Sequence, residues 1–227
     1  MRESTQITYG DGIVSVELIS ESMSEIPAPA VRFGDYEQVL ESCFTQKELQ
    51  EIYEGDHANL TFSFTMSDNP REISEYDTLS TAVTDSAKEL GKLSEGVIVK
   101  MSAIKSVGTG EEISLDNLSE DVDLQVEIPL YLIKDNREYY WITDSLGACR
   151  LYKDQDSEAD TLSINTSSVG TSMLLYQDAI QGTATEEDTG FCIKPQYVFV
   201  FIIVLLLALW HYVMGIYKGR IKGREIT

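Results

Sequence analysis

Residues 59–66 read Asn-Leu-Thr-Phe-Ser-Phe-Thr-Met, with Leu60, Phe62, Phe64 and Met66 at every second position. Period two with polar residues between is the signature of a strand that buries one face. The flanks on both sides fit such a strand in a mixed domain. Before it, Thr45–Gly55 (TQKELQEIYEG) predicts a helix. Thr45 is at the N-cap, Glu48 stands three residues on to complete a capping box, Leu49 and Ile52 share a face, and Gly55 is the stop. After it, beyond Asn69-Pro70, a second helix is expected over about 75–90, with Leu79, Val83 and Leu90 as its core stripe and Gly91 as terminator.

Further out the pattern is mostly strands. Ile13–Leu18 (IVSVEL) alternates after the turn signal Gly10-Asp11-Gly12, and Pro27 and Pro29 mark a break. Downstream, short strands are expected at Gly96–Lys105, Val122–Ile128, Glu138–Ile142, Ala148–Tyr152, Thr161–Asn165 and Met173–Tyr176. Their spacing by turn residues points to a β-sandwich. The expected fold class is mainly β with two helices (α+β), a β-sandwich-like outer domain followed by a single C-terminal transmembrane helix.

That last element is Tyr197–Tyr217, YVFVFIIVLLLALWHYVMGIY, which holds no Asp, Glu, Lys or Arg. As a helix it spans about 31 Å, the thickness of a bilayer core, and it is apolar on every side. Lys218, Arg220, Lys222 and Arg224 follow it, opposed only by Glu225, whereas Glu186, Glu187 and Asp188 precede it. Positive charge stays inside, so these four residues form the cytoplasmic flank of the anchor and the N-terminal part is extracellular. Tyr197, Trp210, Tyr212 and Tyr217 sit where interfacial aromatics belong. His211 has no ionisable partner within the span and is read as a neutral interfacial residue.

The chain is 227 residues long with a formal net charge of −21. Residues 1–193 carry 12 basic and 37 acidic side chains, −25, and the remainder is +4. An exterior so acidic repels nucleic acid and implies a soluble surface. Cys43, Cys149 and Cys192 show no CxxC or Cys/His metal spacing. Cys43 and Cys149 are compatible with a disulfide in an oxidising exterior, leaving Cys192 as the odd thiol. The N-terminus MRESTQITYGDG has no apolar signal-peptide region, so either these residues are the end of a longer exported protein, the favoured reading, or the chain inserts by its tail alone, which would suit an internal N-terminus that the basic tail argues against.

No catalytic constellation is expected, and no cofactor. The histidine of the outer region, His57, lies in Gly55-Asp56-His57-Ala58 between a helix and a strand, a solvent-facing turn. The sharpest metal candidate is Asp154, Asp156, Glu158 and Asp160, carboxylates at positions 1, 3, 5 and 7 as in a Ca²⁺ loop. Position 6 is Ala159 rather than Gly, and position 12 is Asn165 rather than Glu. A solvated hairpin between Tyr152 and Leu162 is therefore the favoured reading. Asn59, Asn117 and Asn165 each open an N-x-[ST] triplet, a glycan acceptor only in a eukaryotic secretory setting.

Three stretches carry a family likeness: Val99–Glu112 (VKMSAIKSVGTGEE), Leu124–Pro129 (LQVEIP) and the Tyr-rich run 137–178 that begins REYYWITDS. Their order resembles a repeated module of large surface proteins of Gram-positive bacteria, compared with a ZU5-like β-sandwich. The resemblance implies a C-terminal membrane anchor, upstream modules and a structural or adhesive role. No LPxTG-type motif is present, so covalent wall attachment is not expected. The expected organisation is an N-terminal strand segment at 1–44 that ends a preceding module, an extracellular module at 45–180, a linker at 181–196, the span at 197–217 and a basic tail at 218–227. Expected partners are the lipid bilayer and a host or cell-surface protein or glycan, with no nucleic acid. The second reading is a single-pass sensor with a ligand-binding outer domain.

Overall fold

The computed structural model of the chain describes residues 1–70, 73–145 and 148–178. The expected linker, span, basic tail and Cys192 lie outside the described residues. Strands take up 53% of the described residues, so the mainly β expectation holds, with three helices where two were expected.

Along the chain run β1 (Arg2–Tyr9), β2 (Gly12–Ser22), β3 (Val31–Phe33), α1 (Tyr36–Cys43), α2 (Gln46–Tyr53), β4 (His57–Ser67), α3 (Tyr76–Leu90) and β5 (Ser94–Val107). Then follow β6 (Ile113–Leu115), β7 (Asn117–Glu127), a 3₁₀ turn at Leu130–Leu132, β8 (Arg137–Ser145), β9 (Ala148–Lys153), β10 (Thr161–Ser168) and β11 (Thr171–Asp178). The main sheet has the order β1-β2-β4-β5-β11-β8-β9, with β6 added to β5. A second sheet has the order β10-β7-β3.

Strand β4 carries out what its alternation predicts. Leu60, Phe62, Phe64 and Met66 are buried, and they face Val31 and Phe33 of β3, Val122, Leu124 and Val126 of β7, and Leu162 and Ile164 of β10 in one core. The Phe33 and Phe62 rings lie 4.7 Å apart, centroid to centroid. Helices α1 and α2 close the same core with Val39, Leu40, Leu49 and Ile52. Strands β2 and β4 are parallel, Val16 opposite Leu60, so the 34 residues between them form a crossover that carries β3, α1 and α2 over this face.

The opposite face is covered only in part. Helix α3 lays Leu79 and Val83 on Ile98, Tyr140, Ile142, Met173 and Leu175 in a second core. Where both faces are covered, alternation disappears: Val97–Val99, Tyr139–Thr143 and Thr171–Leu175 are uninterrupted buried runs. Parity within each strand still assigns the cores, since Tyr139 and Trp141 face the first and Tyr140 and Ile142 the second.

Several expectations change. Residues 1–44 do not form a separate segment: Met1–Ala179 is one compact unit, and β1, β2, β3 and α1 are integral to it. Helix α1 lacks the capping box that revealed α2, yet Asp35 caps it by accepting from the Glu37 and Gln38 N–H groups. The expected hairpin between Tyr152 and Leu162 is absent, because β9 ends the main sheet and β10 edges the second. The acidic loop is a corner between sheets.

Phe62→Ala would empty a site between the two sheets and is expected to cost about 3–5 kcal/mol. Thr61→Ala, on the other face of β4, should stay within about 0.5 kcal/mol. Urea denaturation of the two variants separates the outcomes.

Candidate functional site

The acidic loop is built by its own carboxylates. Asp154 Oδ1 accepts from the N–H groups of Asp156 (3.3 Å) and Ser163 (3.0 Å), and Asp156 Oδ1 accepts from the Glu158 N–H at 2.8 Å. The Ser163 hydroxyl donates to Asp156 Oδ2. Backbone bonds pin the loop at both sides: Asp154 N–H donates to the Tyr139 carbonyl and Ile128 N–H to the Asp160 carbonyl. The carboxylates of Asp154 and Asp156 thus serve the turn, which is why the 1-3-5-7 spacing does not become a shell of converging oxygens. Among the described residues no group of three or more His, Cys, Asp or Glu is placed to hold a metal ion.

Two open clefts border this loop. One, about 450 Å³, lies on the face of the second sheet between Arg32, Gln125 and Glu127 on one side and Asp156 and Asp160 on the other. The other, about 580 Å³, runs between the loop and Lys134, Arg137, Glu138 and Lys153. Burial pushes the Asp154 carboxyl above the usual aspartate range, and the charge of Asp156 adds to this, against the backbone N–H bonds that favour ionisation. A raised folded-state pKa means that the ionised form costs stability at neutral pH, a cost that fades as pH falls through that pKa. Asp154→Asn keeps the accepting oxygen without the charge. Its melting temperature at pH 7 is expected to exceed that of the native sequence, with the difference gone at about pH 3, below the ordinary aspartate value.

A second polar cluster sits at the rim of the core. Lys105 continues the inward face of β5 after Val97, Val99, Met101 and Ala103, and its side chain is only 6% exposed. Its ammonium donates to Glu48 Oε2 at 2.5 Å and lies 5.4 Å from the Phe44 ring centroid. The same Glu48 oxygen accepts from the Thr45 N–H (2.7 Å) and hydroxyl (2.9 Å), while the Glu48 N–H donates to Thr45 Oγ1. The capping box legible in the sequence therefore has a second use, joining α2 to β5 across 57 residues. Partial burial pushes the Glu48 carboxyl up, but Lys105 and the two Thr45 donors outweigh it and hold the group below the usual glutamate range.

Lys105 and Thr45 border a cleft of about 510 Å³ with Cys43, Leu118 and Glu120 on its wall. Burial pushes the Cys43 thiol up to about 12, so it is protonated at neutral pH and inert as a nucleophile. The Lys105 side chain is committed to Glu48. Glu48→Gln preserves the cap but strands the ammonium, and is expected to destabilise by about 3 kcal/mol. Adding Lys105→Met should recover most of that loss in urea denaturation. Because the Glu48 pKa is depressed in the folded state, its contribution is present above the unfolded value and disappears as pH falls through the folded one.

The other sequence candidates do not converge. His57 opens β4 with its side chain exposed, and its carbonyl accepts from Gly108 N–H at 2.7 Å. Cys43 and Cys149 are free thiols, because Cys43 belongs to the core between the sheets and Cys149 packs beneath α3 on the opposite face of the main sheet. The disulfide that an oxidising exterior would allow between them is not formed. Sequence reading missed Lys105 as a buried cation; its one available signal was a lysine in phase with the apolar positions of 97–103. Among the described residues no helix is long and apolar enough to cross a membrane. Comparison with known proteins finds no matching family model, no matching curated protein and no matching solved structure.

Proposed function

We propose that this chain is the membrane anchor and membrane-proximal module of a bacterial surface protein, with a structural or adhesive role. The observation that carries this reading is the uncharged run 197–217 with Lys218, Arg220, Lys222 and Arg224 behind it and a strongly acidic stretch of 193 residues before it. The β architecture of residues 1–178 is consistent with the ZU5-like sandwich that the sequence resembles. The ionisable groups described above also support a structural role: the buried cation is neutralised, the buried thiol is protonated, and the carboxylates of Asp154 and Asp156 brace a corner. The partners implied are the lipid bilayer and a protein or glycan at the cell surface.

Topology provides the test. Cys192 precedes the apolar run, and a membrane-impermeant maleimide on intact cells expressing the chain is expected to label it, with Cys192→Ser as control. Labelling only after lysis would place the acidic part inside and overturn the reading.

A further inference from the structure

Strand β11 ends at Asp178, between β5 and β8, and the surface around that point departs from the rest of the domain. Leu130 is 82% exposed and Tyr131 58% exposed, side by side on the 3₁₀ turn before β8. Leu90, 41% exposed, closes α3 next to the same point, since its carbonyl accepts from Gln177 Nε2 at 2.8 Å. Met23, also exposed, donates its N–H to the Met66 carbonyl near the end of β4. Charge at this end is mixed: Lys92 and Lys134 are exposed, as are Asp68, Glu89 and Asp135, and Lys134 pairs with Asp178. By contrast, the turns at 10–11, 54–56 and 108–112 at the opposite end of the sheet carry Asp11, Glu54, Asp56, Glu111 and Glu112 and no Lys or Arg.

The apolar turn is held rigidly. Leu132 is buried, and its carbonyl accepts from Arg137 Nη1 (2.7 Å) and the Tyr139 hydroxyl (2.8 Å). Arg137 also donates to Asp178 at 2.8 Å and stacks on Tyr176, its guanidinium carbon 3.8 Å from the ring centroid, while Lys134 pairs with Asp178 at 3.2 Å. One end of β11 thus fixes the turn so that Leu132 points in and Leu130 and Tyr131 point out. A Leu–Tyr tip has the composition of an element that sits at a membrane interface, ring and alkyl chain at the acyl boundary.

The sequence beyond β11 says which surface this tip meets. The uncharged run begins at Tyr197, and the 18 residues between it and Asp178 span at most about 65 Å, so the end of β11 is the part of the domain whose distance from an anchored run is most directly limited. We infer that the Leu130–Tyr131 turn docks the domain on the lipid surface that anchors the chain. This rests on the anchor reading proposed above.

The test uses the full chain reconstituted in phosphatidylcholine–phosphatidylglycerol vesicles, in a Cys149→Ser, Cys192→Ser background. An environment-sensitive fluorophore is placed in turn at Tyr131→Cys, at Tyr53→Cys near the opposite end, and at Ala208→Cys within the apolar run. With nitroxide-bearing lipid, the probes at 208 and 131 are expected to lose intensity and emit at shorter wavelength, and the probe at 53 to do neither. Leu130→Asp should release the probe at 131 and leave that at 208 unchanged. Quenching at 208 with none at 131 overturns the docking and leaves the anchor intact; no quenching at either site overturns both. Quenching at 131 alone overturns the anchor reading and, with it, docking on the membrane that anchors the chain. A probe at 131 that lipid nitroxide does not reach, but that self-quenches with protein density, assigns the tip to a second copy of the chain and overturns the inference.

Discussion

The two ladders of β11 hold this domain together. Residues 171–178 pair with β8 along their whole length and with β5 on the other side, interrupted only by an irregularity between Met173 and Leu175. Without β11 the main sheet would fall into two pieces, β1-β2-β4-β5 with β6, and β8-β9. Both hydrophobic cores depend on the same strand, because Leu174 faces the second sheet and Met173 and Leu175 face α3. The last strand among the described residues is thus a central one in space. Most contacts that define the sheet then join distant parts of the chain, a topology that folds slowly because loop closure precedes the gain from pairing.

The second sheet follows from the first. A strand that buries one face needs an apolar layer opposite, and β3, β7 and β10 supply it, with α1 and α2 finishing the cover where that sheet ends. The chain passes between the sheets at sharp corners, Asp154–Asp160 from β9 to β10 and Val169–Gly170 from β10 to β11. The acidic corner is stiff because its own side chains satisfy its backbone. Carboxylates in this molecule are not only surface charge: Asp35, Glu48, Asp154, Asp156 and Asp178 each hold an element in place.

How much was legible can be judged from particular elements. The capping box at Thr45 and Glu48, the glycine that ends α3 with a φ of +90°, and the Gly10-Asp11 turn that joins β1 to β2 with Gly10 at a φ of +62° all rest on local chemistry. Each was readable because a few adjacent residues settle it. Strands β3 and β6, three residues each, carry no period long enough to register, and β1, RESTQITY, has too little apolar character. They are strands because neighbours pair with them, which is information held elsewhere in the chain.

The sequence by itself determined the alternation of β2, β4 and β5, the two better-signalled helices, the acidic surface and the uncharged run near the C-terminus, because each is a property of consecutive residues. Tertiary structure alone decided that β2 and β4 run parallel, that β9 and β10 part into different sheets, and that Cys43 and Cys149 lie on opposite faces. It also decided that Glu48 neutralises Lys105, and that Leu130 and Tyr131 stand exposed beside the end of β11. The reason is physical: strand pairing, ion pairing and the choice of which apolar groups are left uncovered are set by groups brought together across long separations, and no local window contains both partners.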